Sequence, residues 1–159
     1  MKNQSLNLDE YLPFLINRVG ITLVSAFSAE LTNHQISVPM WRVLAVLHQA
    51  GEQRQIDLVN LTSIEESTLS RIVTTLARKK MVSRRKSITS NRERLVALTA
   101  KGRAVTGNII PLARAYEGAM IEGMNENQLE ATKTSLRQFY LNLDSWLDKR
   151  FSESSKGKR

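Results

Sequence analysis

The segment Glu65–Lys80, which reads EESTLSRIVTTLARKK, decides the interpretation of the whole chain. Its apolar side chains recur at the spacing of a helix with one inward face: Leu69, Ile72, Val73 and Leu76. The opposite face carries short hydroxyl side chains around one arginine: Ser67, Thr68, Ser70, Arg71, Thr74 and Thr75. Short hydroxyls let a backbone approach phosphates closely, while the arginine extends to the edges of the bases. The segment therefore predicts a helix that can read the major groove of DNA.

Elements on both sides of this helix complete a DNA-binding motif. Before it, residues 55–61 predict a short helix and residues 62–64 a tight turn. After it the helical period ends, and residues 81–86 and 94–98 have strand character around a polar turn, which predicts a hairpin. This order is that of a helix–turn–helix followed by a β wing. The predicted fold class is mainly α (α+β), with a winged helix–turn–helix lobe and a small β wing.

Positive charge is concentrated in the same part of the chain. The protein has 159 residues with 23 basic and 15 acidic side chains, a net charge of +8. Between Arg78 and Arg103 there are ten basic residues and one acid, Glu93, whereas the rest of the chain holds 13 basic and 14 acidic residues. Such a local excess matches a polyanion, most often nucleic acid. The alternative is a solvated charged face, which is the usual role of an isolated charge run.

The basic residues of the hairpin have distinct predicted roles. The tip of the hairpin can place Arg92 in the narrow minor groove, although an ordinary turn residue would look the same in the sequence. Contacts with DNA phosphates, which fix position rather than base sequence, are predicted for Arg84, Arg85, Lys86 and Arg94.

The polar face of the recognition helix also has simpler explanations. Ser67 and Thr68 could cap the helix instead of contacting DNA. Arg71 could pair with Glu65 or Glu66 on a solvated face. Each signal is weak by itself, and the order of the elements together with the localised charge carries the prediction.

Helical patterns flank the motif and define one domain. The N-terminal pattern, about Leu8–Leu31, is apolar on more than one side, so its second face is expected to contact another subunit. Pro13 marks its first turn or a kink. The predicted organisation is a single domain at 8–150 with a winged lobe at 36–105, flanking helices at 8–35 and 106–150, and flexible tails at 1–7 and 152–159.

Composition excludes several classes of protein. The chain has no cysteine, which rules out disulfides, thiolate zinc sites and iron–sulfur clusters. Two histidines, His34 and His48, are too few for most histidine-rich metal sites, so no metal or cofactor is expected. The sequence lacks a Gly-rich phosphate loop and the common hydrolase motifs, which argues against an enzyme. No secretory signal and no uninterrupted apolar run of about 18 residues occurs, so a cytoplasmic protein without a membrane span is expected.

With these features, the stretch Pro39–Val105 resembles the MarR family of winged-helix transcriptional regulators. The resemblance depends on four segments: WRVL at 41–44, STLSRIV at 67–73, VSRR at 82–85 and LVALTAKG at 95–102. The flanking helices fit the family's layout, so the resemblance covers nearly all of residues 8–150. It implies a homodimer, held by the N-terminal helix and the last two helices, that binds double-stranded DNA at a near-palindromic operator. The same resemblance implies that the flanking helices at 8–35 and 106–150 are dimerisation helices. By geometry, the two recognition helices should lie about 34–36 Å apart.

The sequence departs from the family pattern at three places. The wing reads Ser90-Asn91-Arg92 where the family usually has Asp-x-Arg, so the acid that commonly orients the arginine is absent. The recognition helix starts at Glu65 rather than Asp, which predicts a poorer cap. Lys80 stands where a glycine usually follows that helix, so it must adopt the turn or alter it.

The resemblance also implies regulation by a small molecule, often aromatic or phenolic, bound between the dimer helices and the DNA-binding lobe. A repressor released by an aromatic acid or its thioester is the expected function, and the effector must bind one spacing of the recognition helices better than the other. The candidate pocket residues are Arg18, Met40, Trp41, Leu44 and Tyr116. Arg18 could hold a carboxylate or pair with an acid across the dimer, and Met40 and Trp41 could be core packing. The alternative function is a non-specific architectural or protein-docking module without an effector.

Overall fold

The computed structural model describes residues 6–86 and 93–156. Nine elements follow one another in these parts of the chain: α1 Leu12–Asn33, α2 Val38–Ala50, β1 Gln53–Arg54, α3 Gln55–Thr62, α4 Glu66–Arg78, β2 Val82–Lys86, β3 Arg94–Leu98, α5 Ala100–Met120 and α6 Glu126–Lys156. The chain divides into two compact units, residues 1–116 and 117–159. The predicted fold class, mainly α with a small β wing, is confirmed.

Residues typical of helix termini mark the start of α1 and both ends of α2. Pro13 lies in the first turn of α1, so it starts this helix rather than kinking it. Ser37 Oγ accepts a hydrogen bond from Met40 N at 3.5 Å and caps α2. The helix ends at Gly51, whose φ of 73° suits a residue without a Cβ atom.

The wing belongs to a three-stranded antiparallel sheet in the order β1-β3-β2. The predicted hairpin of β2 and β3 is confirmed, with Val82 opposite Leu98 at one end and Lys86 opposite Arg94 at the other. The edge strand β1 was not predicted, because two residues are too few to show an alternating pattern. It pairs with β3 and so joins the start of α3 to the wing.

The hydrophobic core of the first unit lies between α2, α3, α4 and the sheet. The four residues predicted to face inward from α4 are all buried: Leu69, Ile72, Val73 and Leu76. Phe27 and Leu31 of α1 and Ile109 of α5 pack into the same cluster. Because α4 has its apolar side buried, its polar side is fixed toward solvent.

A set of side-chain hydrogen bonds joins the end of α4 to the start of α5. Thr99 Oγ1 donates to the Lys80 carbonyl at 2.7 Å, and it accepts from Gly102 N at 3.0 Å. Lys101 Nζ donates to the Lys79 carbonyl at 3.0 Å. The turn between α4 and β2 is therefore held by residues that follow β3, and Thr99 also caps the start of α5.

The second unit is dominated by α6. Its start is a reciprocal capping box, because Asn125 N donates to Gln128 Oε1 and Gln128 N donates to Asn125 Oδ1, both at 2.9 Å. The helix continues to Lys156, beyond residue 152 where a tail was predicted. No proline or glycine interrupts the sequence before Gly157, so helix propagation meets no local break there. The rest of the predicted tails, at 1–5 and 157–159, lies outside the described residues.

Both terminal helices carry exposed apolar side chains. On α1, the exposed set includes Leu12, Ile16, Val19, Ile21 and Val24. On α6, it includes Leu136, Phe139, Tyr140, Leu141, Leu143, Trp146 and Leu147. Among the described helices, α1 is also long and apolar enough to cross a membrane by length and composition alone. The same test is passed by core helices of proteins that never enter a membrane.

Candidate nucleic-acid interface

The recognition helix α4 begins at a carboxylate cap. Glu65 Oε1 accepts from Ser67 N at 3.0 Å, and Glu65 Oε2 accepts from Thr68 N at 3.2 Å. The Ser67 hydroxyl donates to Glu65 Oε2 at 2.5 Å. Glu65 therefore satisfies two of the free N–H groups at the start of the helix. Glu65 does cap this helix, while its being a poorer cap than aspartate stays a prediction.

This cap also fixes the ionisation of Glu65. The hydrogen bond from the Ser67 side chain, followed by those from the Ser67 and Thr68 backbone N–H groups, lowers the pKa of Glu65 from an ordinary 4.5 to about 2. These donors stabilise the carboxylate form, as does the positive end of the helix dipole. Ser67 and Thr68 thus take part in the cap, and their side chains remain on the exposed surface.

Arg71 lies one turn further along the exposed face of α4. Neither Glu65 nor Glu66 forms an ion pair with it in the described chain, so the predicted alternative of a solvated pair is not what the structure shows. Ser70 and Thr74 are exposed on the same helix. The arginine and the short hydroxyl side chains around it are therefore open to a partner.

Arg84 connects the wing to this face. Its guanidinium Nη1 donates to Thr74 Oγ1 at 3.2 Å. In the sheet, Arg84 lies opposite the buried Val96, so its side chain is on the side of the sheet that faces α4. The structure thus places Arg84 beside the recognition helix, with both partners exposed.

Arg85 points to the other side of the sheet and has a carboxylate partner. Its Nε donates to Glu52 Oε2 at 2.8 Å, and its Nη2 binds Glu52 Oε1, which makes a bidentate pair. This hydrogen bonding with Glu52 raises the pKa of Arg85. The pair is not visible in the sequence, because Glu52 and Arg85 are 33 positions apart and belong to no common motif.

A second ion-pair group joins α3 to the base of the wing. Arg54 donates to both carboxylate oxygens of Asp57, at 2.7 and 2.8 Å, and to Glu93 Oε1 at 3.3 Å. Hydrogen bonding to Asp57 raises the pKa of Arg54, and the same contact lowers the pKa of Asp57. A cavity of about 160 Å³ opens beside this group.

Other basic residues of the charged stretch stabilise the backbone. Besides Lys101, which binds the Lys79 carbonyl, Arg103 donates from Nη1 to the Leu98 carbonyl at 2.9 Å. Lys86 and Arg94 are exposed and lie opposite each other at the end of the hairpin. The predicted minor-groove residue Arg92 and the departure at Ser90 lie outside the described residues. The charge count therefore overstates the number of basic groups available to DNA.

The predicted effector residues are partly brought together. Trp41 of α2 and Tyr116 of α5 both pack edge-on against Phe27, with ring centroids 5.9 and 5.4 Å apart. The Tyr116 hydroxyl donates to the Ala26 carbonyl at 3.2 Å. Leu44 is fully buried and Met40 is half-buried against the same core.

Arg18 differs from the other four predicted effector residues. Its side chain is exposed on α1 rather than buried. Phe27, which the sequence analysis did not select, is the residue that joins the aromatic side chains. Its position four residues before the buried Leu31 is the only sequence signal that could have found it.

The fold and this surface define a winged helix–turn–helix protein of the DNA-binding type. The MarR family model matches residues 36–93, which span α2 to the base of the wing. Transcriptional repressor Rv2887 of Mycobacterium tuberculosis is 25% identical over 130 residues, which cover 82% of this chain and 94% of the relative. A MarR-family regulator from Silicibacter pomeroyi is 29% identical with a TM-score of 0.79, covering 86% of this chain and 92% of the other. The mutant MarR of E. coli in complex with operator DNA has a TM-score of 0.73 at 20% identity, covering 85% and 99% of the two chains.

Over residues 36–93 the chain matches the MarR family of transcriptional regulators, and its fold resembles that of MarR-family structures. The matched relatives are named transcriptional repressors or regulators, which agrees with the prediction of a non-enzymatic regulator.

Proposed function

We propose that this protein is a dimeric, sequence-specific repressor that binds a near-palindromic operator and releases it when an aromatic acid or its thioester binds. The observation that carries the proposal is the exposed face of α4, where Arg71 lies among short hydroxyl side chains and Arg84 is held beside it through Thr74. This face has the size and chemistry of a major-groove reader.

The proposed DNA contacts fall into two groups. Arg71 reads base edges, with Ser67, Thr68, Ser70 and Thr74 around it. Arg84, Lys86 and Arg94 bind phosphates, and Arg92 enters the minor groove. Arg85 belongs to the phosphate group only if DNA displaces Glu52, because its guanidinium already has a bidentate carboxylate partner.

The exposed apolar side chains support the homodimer. Val19 is 53% exposed on α1 and Leu143 is 58% exposed on α6. A set of large apolar side chains on two helices is more than a monomer in water usually exposes, and burying it against a second copy is favourable. Two copies would present two recognition helices to successive turns of DNA.

The aromatic cluster supports an aromatic effector. Phe27, Trp41 and Tyr116 form edge-to-face contacts that a planar ligand could join or replace. Two structural neighbours have such ligands: BpsR of Bordetella bronchiseptica, whose DNA binding is regulated by 6-hydroxynicotinic acid, and CouR of Rhodococcus jostii, bound to p-coumaroyl-CoA. They are 24% and 22% identical to this chain, with TM-scores of 0.74 and 0.76.

The names of the relatives support the proposed direction of regulation and the proposed cellular location. The curated relatives are named transcriptional repressors, among them NicR of Pseudomonas putida. Repression of a bacterial operator requires a protein in the compartment of the DNA, so we propose a cytoplasmic location.

One experiment tests this function against the architectural alternative. Duplexes bound by the protein are selected from random sequence, and the recovered duplex is compared with an arbitrary duplex of equal length for the wild type and for Arg71→Ala. A regulator should recover a palindrome, and Arg71→Ala should lose the preference while keeping weak binding to both duplexes. An architectural module would recover no consensus, and Arg71→Ala would weaken binding to both duplexes alike.

A further inference from the structure

Two ion-pair groups tie the strands of the wing to the segment that leads into the helix–turn–helix. Glu52, just before β1, binds Arg85 of β2 through both carboxylate oxygens. Arg54 of β1 binds Glu93, the residue before β3, at 3.3 Å. The tied positions are next to Lys86, where β2 ends, and Arg94, where β3 begins. Each strand of the hairpin is therefore held by an ion pair at the end that lies far from Val82 and Leu98.

The acids in these groups are unexpected on a DNA-binding lobe. Glu93 is the one acid among ten basic residues between Arg78 and Arg103. A carboxylate near bound DNA repels the phosphates, so electrostatics alone predicts that its removal tightens binding. The ion pair with Arg54 explains why an acid occurs at position 93, which the surrounding positive charge does not explain.

A contribution to the stability of the fold does not explain the ion pairs of Arg54 with Glu93 and of Arg85 with Glu52. The side chains of Arg54 and Glu93 are 49% and 34% exposed, and those of Arg85 and Glu52 are 52% and 33% exposed. Ion pairs with this much solvent contribute little to the free energy of unfolding. What they do provide is a fixed direction, since the bidentate contact of Arg85 with Glu52 restricts geometry as well as distance. Arg54 is itself oriented by its bidentate contact with Asp57 and reaches Glu93 through one contact.

We propose that Glu52 and Glu93 are positioning residues for DNA binding, which hold the two wing strands through Arg85 and Arg54 so that the wing meets the duplex at the right angle. The inference rests on the proposed function, because it assigns the wing a part in binding. Losing either acid should let the end of the hairpin at Lys86 and Arg94, beyond the backbone pairing of β1 with β3, tilt relative to the 52–57 segment. The wing's contacts should then weaken, although the protein becomes more positive.

The test compares Glu52→Gln and Glu93→Gln with the wild type on two duplexes, the one selected from random sequence and an arbitrary one. Each variant should bind about fivefold more weakly, as expected when contacting residues are uncoupled. The slope of log affinity against log salt should become shallower by about one unit, because a phosphate contact is lost. The midpoint of thermal unfolding should change little.

Glu130→Gln is the matched control, since Glu130 pairs with Lys133 at 3.0 Å within α6 and not with the wing. It removes the same charge and the same kind of exposed ion pair, so its affinity should equal or exceed that of the wild type. A charge exchange gives a second test, in which Glu52→Arg combined with Arg85→Glu should restore most of the affinity lost by Glu52→Gln.

The outcomes separate this inference from the proposed function. Glutamine variants that bind as tightly as the wild type, or more tightly, overturn the positioning role even if the wild type recovers a palindrome. A charge exchange that fails to restore binding overturns it for Glu52 and shows that Arg85 itself contacts phosphate. A wild type that binds both duplexes equally contradicts sequence-specific function, while the variants still test the wing on the arbitrary duplex.

Discussion

The Ser67 hydroxyl donates to Glu65 Oε2 at 2.5 Å, across the first turn of the recognition helix. The same carboxylate accepts from two backbone N–H groups, those of Ser67 and Thr68. The residue that starts the helix therefore also fixes the direction of a hydroxyl side chain on the surface proposed to meet DNA. Local folding and the proposed recognition of DNA therefore share one carboxylate.

This cap makes the free energy of unfolding of the DNA-binding lobe depend on pH. Because the pKa of Glu65 is lowered to about 2, its contribution is complete above the ordinary value of 4.5 and is lost as the pH falls toward 2. Glu65→Ala should therefore lower the unfolding midpoint near neutral pH, and the difference from the wild type should shrink as the solution is acidified. Thermal unfolding followed by circular dichroism across this range measures the difference.

Glu66→Gln is the control for the Glu65 substitution. It removes a neighbouring acidic charge from the first turn of α4 but leaves the hydrogen bonds of Glu65 in place. Its effect on the unfolding midpoint should be the smaller of the two. A difference between Glu65→Ala and the wild type that stays constant from neutral pH down to about pH 2 would contradict the cap.

Lys80 is held in the left-handed conformation, with φ of 60°. A side chain costs about 1 kcal/mol in this region relative to glycine, because its Cβ crowds the backbone. Lys80→Gly should therefore raise the free energy of unfolding by up to about 1 kcal/mol, as measured by urea titration. The comparison is Lys79→Gly, since Lys79 has φ of −73° and should lose stability. Equal changes in the two variants would show that φ is not the cause.

The sequence predicts best the elements whose signal is local. Ser37, Gly51 and Asn125 lie at helix ends in the structure, and residue types such as these mark a helix end in the sequence because a cap depends on residues within one turn. The buried face of α4 follows from its apolar spacing alone. The left-handed backbone at Lys80 also has a local signal, because Lys80 stands where a glycine usually follows the helix. The turn after a helix restricts the backbone whatever residue occupies it.

Contacts between distant segments could not be predicted from the residues alone. Arg85 was assigned to phosphate because its charge fits, but its partner Glu52 is brought near only by the pairing of β1, β3 and β2. The same limit applies to Arg103 on the Leu98 carbonyl and to the aromatic contacts of Phe27. The sequence shows that a residue is positively charged. Only the fold shows whether its side chain already binds a carboxylate or a carbonyl of the same chain.

Gly102 lies too close to the backbone of the α4–β2 turn to accept a side chain. A Cβ atom at this position would clash with the Met81 carbonyl oxygen and lie 2.9 Å from the carbonyl carbon. Gly102→Ala should lower the free energy of unfolding by about 3 kcal/mol or more, because backbone on both sides must shift. Gly107→Ala in the same helix should instead raise it by up to about 1 kcal/mol, since its Cβ would meet no described atom within 4 Å. Urea titration of both variants decides, and a tolerated Gly102→Ala would contradict the close approach.

The proposed dimer makes DNA binding depend on residues far along the chain from α4. Val19→Glu places a charge among the exposed apolar side chains of α1, and burying that charge against a second copy is costly. We expect this variant to be monomeric at micromolar concentration by sedimentation, and to bind the selected palindrome at least about a hundredfold more weakly, because two half-sites are no longer engaged together. Leu61→Glu is the control for association, since Leu61 is equally exposed, at 53%, but lies on α3. It should remain dimeric, and a monomeric wild type or a dimeric Val19→Glu would contradict the role of α1.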